Sequence, residues 1–264
     1  GLGPWQGLNP YKIWWMVVLV AALSFAGYAA TRLAGAEAGA LLTGLFGGLA
    51  SSTALTLHFA RLGRGAAPGN AALLSAGILL ACGTMVPRTL LLAALIDRSL
   101  LALLWAPALV MAALIYSGAT LQWWRRHRHP PASDGLRLRN PLELTAALGF
   151  GGLLALVMVA AAGLRAQIGS AGLLALAAVS GLADVDAVTL ALADLGRDNS
   201  TTAVAALGIL VAAGVNTAVK AGMALSVGGS ALGLRAGPPL VAAAAAGPAL
   251  GWALMPLGGA GGGG

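Results

Sequence analysis

The chain has 264 residues, 59% of them hydrophobic and only 9% charged, with a mean hydropathy of +0.87. Soluble domains carry about 25% charged residues, so a water-soluble globule is excluded and an all-α integral membrane protein is expected. The formal charge of +7 does not imply nucleic acid as a partner, because the basic residues fall mainly between apolar runs, where the positive-inside rule accounts for them.

In chain order, eight runs are long enough, or nearly so, to cross about 30 Å of hydrocarbon as helices. They cover approximately 12–33, 38–60, 70–96, 99–121, 142–165, 171–194, 201–229 and 237–256. Nothing at the N-terminus reads as a cleavable signal, so the first run is expected as a mature helix. The 39 glycines suit helices that approach backbone to backbone through small residues. Cys82 is the one cysteine and lies in an apolar run, which supports neither an intrachain disulfide nor a thiolate metal site.

The expected organisation is an N-terminal segment (1–11), a first four-helix repeat (12–121), a basic loop (122–141), a second four-helix repeat (142–256) and a Gly-rich tail (257–264). With all eight runs crossing, Lys12, Arg61, Arg64, Arg125, Arg126, Arg128, Arg137, Arg139 and Arg197 share the side of the N-terminus, against Arg32, Arg98, Arg165 and Arg235 on the other. That nine-to-four count places both termini and the basic loop in the cytoplasm, the loop facing anionic lipid. Trp14, Trp15, Trp123 and Trp124 fall near the expected interfaces, where indoles anchor.

The two halves are related in sequence. Gly48–Arg64 lies over Gly181–Arg197 at an offset of 133, with ten of seventeen positions identical. Gly77-Ile78-Leu79 recurs as Gly208-Ile209-Leu210, and Asn9-Pro10 recurs as Asn140-Pro141. Four crossing helices per copy return the chain to its starting side, so two parallel repeats about the membrane normal are expected.

The residues costliest to bury mark the candidate site. Asp184 and Asp186 sit in an apolar run, where an ionised Asp near the bilayer centre costs about 2.5–3.5 kcal/mol. In the first copy Ser51, Ser52 and Thr53 stand where Asp184, Val185 and Asp186 stand in the second. The two acids are about 200° apart on a regular helix. Either both helices break at this point, as Gly47-Gly48 and Gly181 upstream allow, or one Asp faces the bundle and the other bonds a neighbouring helix. Arg88, after Pro87, and Lys220, one turn after Asn216, are expected as counter-charges to the acids, with Ser51, Ser52, Thr53, Thr189 and Asn216 as neutral lining. Such a cluster resembles a proton- or ion-coupled site, in which a Lys partner is displaced or deprotonated as a cation binds; a structural ion-pair network is the other reading. If a metal binds, Asp184 and Asp186 are its ligands, a thin set for Mg²⁺ unless it keeps several waters. No cofactor is expected, since no phosphate-binding glycine loop, nucleophile elbow or zinc helix motif occurs, and His58, His127 and His129 lack companion ligands.

The blocks Asn9–Trp14, Leu42–Ala54, Ser180–Ala187 and Asn216–Gly222 resemble the C-terminal domain of bacterial MgtC/SapB-type membrane proteins, catalogued as domain of unknown function 4010. The resemblance runs from about Asn9 to Met255, and the chain is expected to lack the MgtC/SapB module itself. It implies the fold and the bacterial inner membrane, but no settled activity. The residues favour a secondary transporter or channel-like carrier of a small ion or polar solute, alone or as a homo-oligomer. The rival is a regulatory or scaffolding membrane protein. An enzyme is not expected, because two acids two residues apart do not match the separate-helix acids of intramembrane proteases.

Overall fold

The computed structural model describes residues 9–33, 39–66, 68–126, 144–197 and 201–255. Asn140-Pro141, His127, His129, most of the basic loop and the Gly-rich tail lie outside them. The described residues form an all-α bundle: α1 (Pro10–Leu33), α2 (Gly39–Gly63), α3 (Pro68–Ile96), α4 (Leu100–Arg126), α5 (Leu144–Ile168), α6 (Ser170–Ala183), α7 (Val185–Gly196), α8 (Thr202–Ser226) and α9 (Ser230–Leu254). Three of them, over Gly69–Ile96, Leu100–Arg125 and Thr202–Ser226, are long and apolar enough to cross a membrane. Large apolar side chains such as Trp105, Leu109, Leu156, Val241 and Trp252 point outward, as on a surface that meets lipid rather than water.

Local chemistry starts the first helix. Asn9 Oδ1 accepts from the amides of Tyr11 (3.1 Å) and Lys12 (3.2 Å), and Pro10 fills the first helical position, where no donor is needed. Gly65 and Gly229 adopt positive φ of 75° and 79° at the α2–α3 and α8–α9 turns, a conformation that disfavours other residues.

The second run does not behave as one rod. A Cβ built on Gly44 would lie 2.6 Å from the carbonyl oxygen of Gly77, and one on Gly48 2.6 Å from the Cα of Ala81. Residues 39–50 therefore run beside α3 in the same direction. Thr56, two turns further on, is back at the level of Cys82, 3.8 Å away, so residues 52–63 return along α3 in the opposite sense. The reversal occurs at Ser51, whose φ of −162° and ψ of 98° are extended. The sixth run does the same. Gly181 abuts Ala212, whose carbonyl oxygen would lie 2.6 Å from an added Cβ, whereas one on Gly208 would meet both Ala177 of α6 (3.6 Å) and Leu192 of α7 (2.7 Å). Gly196 then lies against Ala205, so α6 runs with α8 and α7 against it. The turn is Asp184, with φ −154° and ψ 139°.

Two of the eight apolar runs are thus hairpins whose ends lie on one face of the bundle, which corrects the expectation of eight crossings. Each arm of 12 to 14 residues is about 18–21 Å long, too short for about 30 Å of hydrocarbon. Glycines at the α2–α3 and α6–α8 contacts let backbones touch, and this close approach holds the arms folded.

The hairpins change the relation between the halves. Gln122 Nε2 of α4 donates to Arg235 O of α9 at 3.3 Å, Gly118 of α4 lies against Pro239, and Gly247 of α9 lies against Met111. The fourth helices of the two halves are antiparallel, so the parallel relation expected for them does not hold. At one face, Lys12 at the start of α1 meets Asp194 near the end of α7 (2.9 Å), and Arg197 Nη2 donates to Ile96 O at the end of α3 (2.9 Å). At the opposite face, the end of α2 and the start of α9 meet at Gly63 and Leu232, beside the end of α4. The start of α1 and the end of α4, where the basic loop begins, therefore lie on opposite faces, which overturns the expectation that they share one.

Candidate functional site: two hairpin tips

Both tips are built alike. An extended residue separates two helices, and its own side chain caps the returning one. Asp184 Oδ1 accepts from the Asp186 amide at 2.5 Å, and Ser51 Oγ accepts from the Ala54 amide at 3.3 Å. These are N-cap bonds, satisfying one of the amides that open any helix. The carbonyls that end each outgoing arm are met by a side chain from the adjoining long helix. Arg88 Nη1 of α3 donates to Leu49 O (2.5 Å) and Ala50 O (3.5 Å), while Asn216 Nδ2 of α8 donates to Gly181 O (2.9 Å). Gly181 and Leu49 thus join the cluster through their carbonyls, which no side-chain pattern reveals.

Two side chains then tie each hairpin to the other half of the chain. Arg88 Nη2 donates to Asp186 Oδ2 in a buried ion pair. Lys220 Nζ, only 1% exposed, donates to Ser52 Oγ at 2.8 Å and to Met85 Sδ at 3.0 Å. The expected Arg88–acid pairing is present and selects Asp186. Lys220 has no carboxylate within 4 Å among the described residues and takes a hydroxyl and a thioether instead, so it is not the direct partner of either acid. Met85 is the partner that the sequence reading missed; the one available signal is that it occupies the position of Asn216 at the 131-residue offset of the Gly77/Gly208 block.

Thr189, fully buried, carries a hydroxyl without a hydrogen-bond partner, and Arg88 Nε is likewise unpaired. Ser51 and Ala183 are exposed, Leu182 is 58% exposed and Thr53 and Asp184 are half-buried. The tips are therefore reachable from outside the bundle, while Ser52, Asp186, Asn216, Arg88 and Lys220 lie behind them. Among the described residues no three His, Cys, Asp or Glu side chains converge, and Asp184 and Asp186 stand as a two-carboxylate set.

The family model described as "Domain of unknown function (DUF4010)" matches residues 18–228, a span that includes both hairpins and every residue of the site. The chain belongs to this family. An uncharacterized protein of Aquifex aeolicus (strain VF5) is 30% identical over 193 residues, covering 73% of this chain and 84% of that protein. No solved structure matches.

In this DUF4010 chain, the arrangement can do two things chemically. The Arg88–Asp186 pair holds opposite charges that are both buried, an arrangement that is costly to break from one side only. The half-buried Asp184 commits one carboxylate oxygen to the Asp186 amide, and the chemistry of the other allows it to take a proton or a cation.

Proposed function

We propose that the protein is a carrier of a small ion or polar solute in the bacterial inner membrane, built of two inverted repeats. Each repeat is read as three crossing helices and one re-entrant hairpin, and this odd number of crossings reverses the second copy. What supports the reading is reciprocity. The contact of Gly63 with Leu232 has its counterpart in Gly196 with Leu100, and Gly48 with Ala81 in Gly181 with Ala212. Arg88 of the first repeat reaches Asp186 at the second tip, and Lys220 of the second reaches Ser52 at the first. Interrupted helices at membrane depth are tolerated where they line a water-filled cavity or are buried in protein, and carrier sites lie where inverted repeats meet.

The observation that carries the proposal is the pair of accessible, interrupted tips with charged side chains directly behind them. Asp184 and Asp186 serve as the coupling acids and Arg88 as internal counter-charge, with Ser51, Ser52, Thr53, Thr189 and Asn216 lining the path and Lys220 at the first tip. No catalysis is assigned.

Orientation follows from recounting charge on this topology. Arg32, Arg61, Arg64, Arg125, Arg126 and Arg235 belong to one face, and Arg128, Arg137 and Arg139 come between two helix ends at that face; Lys12, Arg98, Arg165 and Arg197 belong to the other. The count is again nine to four, now with the basic loop cytoplasmic and both termini outside. The basic face meets the anionic cytoplasmic leaflet.

Two cysteine experiments in a Cys82→Ser background test this. For topology, Ser99→Cys and Arg197→Cys should react with an impermeant reagent only from outside the cell, and Arg64→Cys and Ser230→Cys only from the cytoplasm. Eight crossings would instead split each pair. For the carrier, Ser51→Cys and Leu182→Cys should react with a hydrophilic thiol reagent despite their depth, because thiolates form only where water reaches. Inert tips would favour a closed scaffold.

A further inference from the structure

Each hairpin has to satisfy the carbonyls that end its outgoing arm, and the two do so with different reach. At the second tip, Asn216 Nδ2 of α8 donates to Gly181 O (2.9 Å), a bond within one repeat. At the first tip the donor is Arg88 of α3, whose Nη1 takes Leu49 O (2.5 Å) and Ala50 O (3.5 Å) while Nη2 of the same guanidinium pairs with Asp186 Oδ2 at the second tip. A single buried group therefore holds the end of one hairpin's outgoing arm and the start of the other's returning arm.

The guanidinium is planar, with its nitrogens fixed relative to one another. Nη2 cannot follow a new partner without carrying Nη1 along. The Arg88 Nε has no hydrogen-bond partner among the described residues, so the two hairpins are what hold the plane of the group. Charge supplies the force. Arg88 of α3, Lys220 of α8 and Asp184 of the same hairpin all act on Asp186, and Lys220 is itself bonded to Ser52 at the first tip (2.8 Å). Loss of the Asp186 charge leaves two cations facing Asp184 alone, and a buried guanidinium without its carboxylate is disfavoured. A guanidinium that turns toward Asp184, the remaining carboxylate of the set, gives up Leu49 and Ala50.

We infer that Arg88 is a positioning residue that links the two tips, so that loss of the Asp186 charge at the second tip loosens the end of the outgoing arm, residues 47–51, at the first. In the carrier, neutralising the acidic tip thereby opens the hydroxyl tip. The inference rests on the carrier reading for its purpose and on the Arg88 hydrogen bonds for its geometry.

The test is hydrogen exchange of the full chain in detergent, which reads local opening directly. Asp186→Asn, nearly isosteric, should speed exchange over residues 47–51 about fivefold, the low end of couplings between sites, and leave residues 179–183 and α4 unchanged. Asn216→Ala should do the converse, speeding residues 179–183 and sparing residues 47–51. Because Asp186→Asn strands a buried guanidinium and can fold poorly, Arg88→Met with Asp186→Asn, which leaves no lone charge in the pair, gives an independent arm. It should also speed residues 47–51, and to the same extent as Arg88→Met alone, since the link is gone. Unchanged exchange over residues 47–51 in either Asp186 variant, an equal rise at both tips and in α4, or an effect of Asp186→Asn that persists without Arg88 overturns the inference. Labelled Ser51→Cys and Leu182→Cys without this exchange response would leave the carrier standing and remove the link; the response with inert thiols would do the reverse.

Discussion

The hairpin of α2 and the hairpin of α6 and α7 share a backbone and differ in charge. Both turn at one extended residue, both press a glycine onto a long helix, at Gly48 on Ala81 and Gly181 on Ala212, and both cap the returning arm. Yet one tip reads Ser-Ser-Thr and the other Asp-Val-Asp. Close backbone contact sets the turn, and the polar residues are then free to differ.

The largest effect should come from the buried ion pair that crosses between the halves, Arg88–Asp186. Arg88→Met leaves the buried Asp186 without its direct partner and frees the Leu49 carbonyl, and truncating one partner of a buried pair costs about 3–5 kcal/mol. Thermal unfolding in detergent measures this. The double variant Arg88→Met with Asp186→Asn should recover much of the loss, and strict additivity would show that the pair carries no coupling.

Next comes the steric half of the comparison. Gly48→Leu and Gly181→Leu should each destabilise by at least about 1–3 kcal/mol, the usual cost of overpacking, and by similar amounts. Tolerance at one position and not at the other would mean that the hairpins are held by different contacts.

A smaller effect separates Lys220 from the acids. Lys220→Met and Ser52→Ala should be non-additive by about 1 kcal/mol, since the two groups are in direct contact, whereas Lys220→Met with Asp184→Asn should come closer to the sum. The reverse pattern would restore Lys220 as the acids' partner.

These outcomes bear on how much could be read from the sequence. The helical runs and the involvement of Arg88 followed from hydropathy and from the cost of buried charge, while Gly47-Gly48 and Gly181 offered the break at Asp184 and its echo at Ser51 as one of two readings. The direction of the chain beyond each break did not. Hydropathy measures whether 23 or so residues are apolar, and an apolar run is equally long whether it crosses or doubles back. The charge count could not correct the error, because moving Arg32 and Arg235 to the side of the basic loop and Lys12 and Arg197 away from it returns the same nine-to-four ratio with the termini exchanged. The direct contacts of Lys220 were illegible for the same reason. Only a folded-back α2 puts Ser52 beside α8, and the attraction of opposite charges pointed to the acids instead.

The smallest expected difference lies in the caps themselves. An N-cap contributes about 0.5–2 kcal/mol, with carboxylates aided further by the helix dipole. The Asp184 cap is short at 2.5 Å and the Ser51 cap long at 3.3 Å, so Asp184→Ala should cost more than Ser51→Ala, by about 1 kcal/mol or less. Asp184→Asn separates the contributions, because an amide oxygen still accepts from the Asp186 amide while the charge is gone. If Asp184 acts on stability mainly as a cap, Asp184→Asn should unfold close to the unmodified chain, and any lost flux or lost proton dependence in liposomes then belongs to the charge. If Asp184→Asn is as unstable as Asp184→Ala, the carboxylate charge itself holds the second tip, and the contrast with the neutral cap at Ser51 becomes a difference in folding rather than in function.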